Sequence, residues 1–157
     1  NRLWCCHRGS YRYKLSNGFI MRFETDEDLS REKKTIKTFV NIFGGSFKKL
    51  DPNDIDYRVY DSEGELIAFV EVKGIFKNYK DSYPLPIPAK KLVKLADKRL
   101  NPVVIWACND GVVYSRVVHL KGDIIWSGIT PVADSYNDQE LMAYFNKSDN
   151  FKFIPYV

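Results

Sequence analysis

Two carboxylates and a lysine carry the densest chemistry in this chain: Asp56, and the Glu71-Val72-Lys73 triplet. They bracket the stretch DYRVYDSEGELIAFVEVK, residues 56–73. Two acidic groups close together can hold one hard divalent cation. Mg²⁺ prefers oxygen ligands at about 2.0–2.1 Å and is commonly held by one or two carboxylates, waters and phosphate oxygens. The Val72 backbone carbonyl is a further oxygen donor at the same place. A lysine two residues past Glu71 reaches the same spot. There it can orient or deprotonate an attacking water, or stabilise charge on a scissile phosphate. As a base it needs a lowered pKa.

This chemistry requires two adjacent strands. Asp56–Tyr60 reads as one and Leu66–Lys73 as the next, with Ser62-Glu63-Gly64 supplying the turn. Alternation assigns Asp56, Arg58 and Tyr60 to one face, and Phe69, Glu71 and Lys73 to one face of the second strand. Pairing across a two-residue turn sets Asp56 opposite Phe69, with Glu71 its diagonal neighbour at roughly 7–8 Å between Cβ atoms. Ahead of the hairpin, Asp28 is an N-cap candidate for a helix running to about Phe43, where Gly44-Gly45 stops it. Leu29, Ile36, Phe39, Val40 and Phe43 form its apolar face, and Glu32 shares that face. An inward glutamate needs a partner, because an unpaired buried charge is costly. Glu32 is therefore a fourth candidate, with Glu27 and Glu24 as fallbacks.

The remaining elements frame this hairpin. Residues 1–25 alternate as a small β extension, and residues 74–87 form a loop rich in Lys, Tyr and Pro. A helix is expected from about Pro88 to Leu100, with Leu92, Leu95, Ala96 and Arg99 inward and Lys91 flanking that stripe. Val103–Cys108 is a continuous apolar run, the mark of a strand buried on both faces. Another strand follows at Val112–Leu120, a short one at Ile124–Ser127 and a terminal helix at Asp138–Phe145. This order predicts an α/β (α+β) protein with a mixed central sheet flanked by helices.

Composition bounds the partners. The chain has 157 residues, 45% hydrophobic and 28% charged, which fits a single domain, 1–157, with one sizeable core. No apolar run approaches the roughly 20 residues that span a bilayer, and the N-terminus lacks a signal peptide's apolar core. An intracellular, cytoplasmic protein without a membrane partner is the expectation. Cys5, Cys6 and Cys108 do not make a disulfide framework, and Cys5-Cys6-His7 has no second cluster to complete a zinc site. Gly44-Gly45-Ser46-Phe47-Lys48 lacks phosphate-loop spacing. A net charge of +4 admits a polyanion.

A glutamate on a helix, an aspartate, and Glu-x-Lys after a hairpin resemble the PD-(D/E)XK nuclease superfamily. The matching positions are Glu32, Asp56, Glu71 and Lys73. The match covers about residues 28–120, and Ile55 stands where the family often has proline. The resemblance implies a restriction-endonuclease-like αβββαβ core. It also implies Mg²⁺- or Mn²⁺-dependent hydrolysis of phosphodiester bonds, most simply by an endodeoxyribonuclease. Asp56, Glu71 and the Val72 carbonyl would then bind the metal. DNA is the expected partner and RNA the second choice. Lys91, Lys77 and Lys80 are the expected phosphate contacts, with Tyr79 as a stacking group in a mobile loop. A homodimer would make paired cuts and a monomer nicks; both stay open. The competing reading is a non-catalytic nucleic-acid-binding or protein-interaction subunit on the same fold.

Overall fold

A computed structural model describes residues 13–16, 19–22, 26–50, 55–128 and 139–157. Cys5, Cys6, His7, Glu24 and Asp54 lie outside the described residues. Two short strands, β1 (Tyr13–Ser16) and β2 (Phe19–Arg22), pair as an antiparallel hairpin. Helix α1 (Asp26–Phe43) starts two residues before the expected cap, with Asp26, Glu27 and Asp28 in its first turn. Negative charge there complements the exposed N–H groups of the helix end. The helix buries Glu32, Thr35, Ile36, Phe39 and Val40, whereas Leu29 and Phe43 are exposed at its ends. Gly44, at φ +67°, takes the left-handed position that ends it.

Three strands then form an antiparallel meander: β3 (Ser46–Lys49), β4 (Tyr57–Tyr60) and β5 (Leu66–Gly74). A short 3₁₀ turn (Tyr79–Asp81), an edge strand β6 (Leu85–Pro88) and helix α2 (Ala89–Ala96) carry the chain across the sheet. The chain returns as β7 (Pro102–Ala107), parallel to β5. A parallel pair requires such a crossover of a dozen or more residues. Every residue of β7 is buried. β8 (Gly111–Arg116) and β11 (Lys152–Pro155) complete a six-stranded mixed sheet in the order β11-β8-β7-β5-β4-β3. A separate three-stranded sheet pairs β6 with β10 (Gln139–Phe145) and β10 with β9 (Asp123–Gly128). The protein is thus mixed α+β with a sheet-rich core. Among the described residues no helix is long and apolar enough to cross a membrane.

The two faces of the large sheet carry separate cores. One packs Tyr57, Val59, Ala68, Val70, Val103 and Ile105 with Ile36, Phe39 and Val40 of α1. The other packs Phe69, Val104 and Trp106 with Leu95 of α2 and Leu85, Ile87, Ala143 and Phe145 of the small sheet. The segment expected to be a terminal helix, Asp138–Phe145, is instead strand β10 from Gln139. It hydrogen-bonds to neighbours on both sides. Pairing on two edges outweighs the weak helical preference of a seven-residue run. β6 escapes a sequence reading because Pro86 and Pro88 sit in it, and an edge strand tolerates proline.

Gly45 lies against the start of the meander. A Cβ there would run into the carbonyl oxygen of Tyr60. The neighbour is backbone held in the β3–β4 ladder, so it cannot yield cheaply. Gly45→Ala should destabilise the protein by about 2 kcal/mol or more, read from the urea midpoint.

Candidate active site

The hairpin register differs from the expected one, and the difference tightens the site. Tyr57 pairs with Val70, Arg58 with Phe69 and Val59 with Ala68, while a bulge lies between Val59 and Tyr60. The connecting loop is longer than two residues because Asp61 organises it. Its Oδ1 accepts the backbone N–H groups of Glu63 and Glu65, each at 2.9 Å. Carried one step past Tyr57–Val70, this register brings Asp56 level with Glu71 rather than Phe69. Directly opposed positions have Cβ atoms about 4.5–5.5 Å apart, closer than a diagonal pair.

Strand β4 begins only at Tyr57, so Asp56 lies where β4 and β5 part company. Its Oδ2 accepts the Val72 backbone N–H at 2.7 Å. The N–H and C=O of one residue in an extended strand point to the same side. The Val72 carbonyl therefore faces the same opening as its N–H. In return, the Asp56 backbone N–H pulls the Glu71 pKa down.

Glu71 is buried at 4% exposure. Lys91 Nζ, from the first turn of α2, lies 3.1 Å from its Oε1. Its Oε2 is buried with no hydrogen-bond partner among the described residues. Lys73 follows on the same face of β5 and is half-buried. Glu32 is buried as its helix phase requires, but it arrives from the other layer. Its helix α1 packs on the Val70 face of the sheet, whereas Glu71 shares the Phe69 face with α2. The Glu32 carboxylate is held by Lys49 Nζ at 2.5 Å. It acts on Asp56 and Glu71 through its charge, which raises the pKa of both.

Burial, with the crowding of acids behind it, sets the electrostatics. Burial, then the neighbouring Glu71 carboxylate, push Asp56 from 3.8 up to about 7; the Val72 N–H opposes this, and the Glu32 charge adds to it. Burial also raises Glu71, against the opposing pull of the Lys91 ammonium and the Asp56 N–H. The folded protein therefore keeps a proton on Asp56 in a range where the unfolded chain has lost it. The sign follows: stability is highest below about pH 4 for this group and falls as pH rises towards 7. The loss is on the order of a few kcal/mol. Asp56→Asn keeps an acceptor for the Val72 N–H and removes the charge. Its denaturation midpoint should exceed that of the wild type at pH 8, with the gap closing near pH 4.

The basic and aromatic groups divide. Lys91 stands at the site. Lys77 and Lys80 are exposed on the segment after β5. Lys49 faces Glu32 instead of solvent phosphate, a partnership visible only once β3 is known to be a strand beside Asp56. The Leu50 N–H to Asp56 carbonyl bond, 2.9 Å, fixes that proximity. Tyr79 stacks on Phe153 at 4.3 Å between ring centroids, and meets Tyr83 edge-on. Its N–H donates to Asp110 Oδ1 at 2.8 Å, and the Lys77 carbonyl accepts the Asn109 N–H. The expected mobile loop is therefore tethered to the β7–β8 turn, and its tyrosine packs on protein.

Among the described residues no three His, Cys, Asp or Glu side chains cluster as a metal-holding group. The oxygen donors at hand are Asp56, Glu71 and the Val72 carbonyl. A 370 Å³ cavity between α2 and the small sheet is lined by Leu92, Val117, Phe145 and other apolar residues, and contains none of these donors. No family model, curated protein or solved structure matches this chain.

Proposed function

We propose that this chain is a divalent-metal-dependent nuclease that hydrolyses phosphodiester bonds, an endodeoxyribonuclease with DNA as its substrate. One observation carries the reading. Two carboxylates, the half-buried Asp56 and the buried Glu71, meet where two strands part, beside a lysine on the same strand face. Burial holds both carboxyl groups above their usual pKa, and one Glu71 oxygen is left without a partner among the described residues. Such a pair is poorly placed in a purely structural role, since buried acids are costly unless compensated. The succession α1, three antiparallel strands, α2 and a parallel strand supports the PD-(D/E)XK comparison, as does the position of both acids at the β4–β5 fork.

Asp56, Glu71 and the Val72 carbonyl fit Mg²⁺ or Mn²⁺, which favour oxygen donors. When bound, the cation supplies Lewis-acid polarisation of the phosphodiester and neutralises the two acids. Lys73 orients the attacking water and stabilises the charge that develops on the phosphoryl oxygens. Glu32, held by Lys49, adds negative potential from the α1 side. Lys77 and Lys80 hold the backbone without reading sequence.

Incubation with circular, linear, branched and single-stranded DNA, and with RNA, in Mg²⁺ or Mn²⁺ tests the reading. Metal-dependent cutting that EDTA stops is expected. If no substrate is cut, the nuclease assignment fails; tight binding without cutting would favour a non-catalytic nucleic-acid-binding subunit.

A further inference from the structure

Lys91 neutralises Glu71 through Oε1 and leaves Oε2 without a partner among the described residues; the consequence rests on the nuclease reading above. The ammonium lies 3.1 Å from Glu71 Oε1, with the lysine side chain 33% exposed and the glutamate 6%. The neighbouring Lys90 pairs instead with Glu140 of β10 at 3.5 Å, on the surface. An ammonium and a divalent cation on one buried carboxylate repel each other where water does not screen them, so each weakens the other's hold. Removing Lys91 with nothing in its place would leave Glu71 uncompensated. Entry of the cation therefore favours departure of the ammonium. The displaced ammonium then needs a new anion. A lysine's flexible four-carbon stem allows the swing, and phosphate is the anion that the substrate brings.

We propose that Lys91 is an internal counter-ion that holds Glu71 until nucleic acid arrives. The phosphodiester backbone then draws Lys91 off Glu71 and opens it to the divalent cation. Lys91 thereby couples nucleic-acid binding to metal binding, and the coupling is reciprocal. It is a positioning residue: it acts on the reaction by controlling when Glu71 is available.

Mn²⁺ binding measured by electron paramagnetic resonance, without nucleic acid, tests the first half. Lys91→Met should bind Mn²⁺ roughly tenfold tighter than wild type, and adding Glu71→Gln to it should remove the gain. Anisotropy with a fully phosphorothioate duplex tests the second half. The ratio of duplex affinities with and without Mn²⁺ should be several-fold larger in wild type than in Lys91→Met. Equal Mn²⁺ affinities, a gain that survives Glu71→Gln, or equal ratios would each overturn the proposal. A measurement on wild type alone stands independent of any variant's folding. Brief acetic anhydride labelling, read by peptide mass spectrometry, should modify Lys91 several-fold faster in Mn²⁺ than in EDTA; an unchanged or slower rate counts against the exchange. If wild type cuts DNA while Lys91→Met binds Mn²⁺ no tighter, the counter-ion role fails and the nuclease reading stands. If wild type neither cuts nor binds Mn²⁺, both fail.

Discussion

Replacing Asp56 with asparagine is expected to lower phosphodiester cleavage by roughly 10³-fold while leaving a protein more stable than wild type at pH 8. Changes to the partners of metal ligands already cost about 10–100-fold, so loss of a ligand itself should exceed that. The same substitution relieves the burial of a charge and the repulsion from Glu71, which together push Asp56 up to about 7, and it preserves the acceptor for the Val72 N–H, now 2.7 Å away. Opposite signs for activity and stability distinguish a functional acid from a structural one. A structural Asp56 would lose stability on substitution, and a site elsewhere would leave cleavage intact. Lys73→Ala should lose about 10²–10⁴-fold, the range for a positioned proton-transfer or electrostatic group. Single-turnover cleavage in Mn²⁺ and urea titration at pH 8 supply the two readouts. If both variants cut like wild type, the site assignment is wrong.

The largest expected effect on folding is at Trp106. Its side chain is fully buried, meets Phe145 and Phe151 at 6.0 and 5.7 Å between ring centroids, and donates Nε1–H to the Pro86 carbonyl at 2.7 Å. Trp106 thus joins the central strand β7 to the edge strand β6 of the small sheet. Trp106→Ala removes the ring and orphans a carbonyl acceptor, so it should cost about 3–5 kcal/mol. That is a large share of a typical domain's stability of about 5–15 kcal/mol. Trp106 pairs across the ladder with Lys73, so loosening here reaches the candidate site. Urea unfolding followed by circular dichroism should show the midpoint falling with an unchanged slope. A loss below about 1 kcal/mol would mean that the interface between the two sheets contributes little.

Local chemistry made the hairpin, its alternation and the inward phase of Glu32 legible in the chain. Side-chain period is a property of the strand or helix itself, so Asp56, Glu71 and Lys73 could be assigned to faces without a fold. The buried character of Val103–Cys108 is equally plain, since an apolar run admits few other environments. Register was not legible. It depends on a bulge after Val59 and on Asp61 capping the loop, and these together move Asp56 from Phe69 to Glu71. β10 and β6 were also misread, because their identity comes from pairing with distant strands rather than from their own residues.

Residue chemistry and element periodicity settle which groups can react and which side of each element they occupy. Packing settles who meets whom. It seated α1 and α2 on opposite faces of the sheet, so that Glu32 acts from one layer and Glu71 from the other. It also matched lysines to acids, Lys49 to Glu32 and Lys91 to Glu71. These pairings join residues 17 and 20 positions apart on four different elements. The physical reason is that ion pairs and desolvation depend on distance in space and on exclusion of water, neither of which exists along an extended chain.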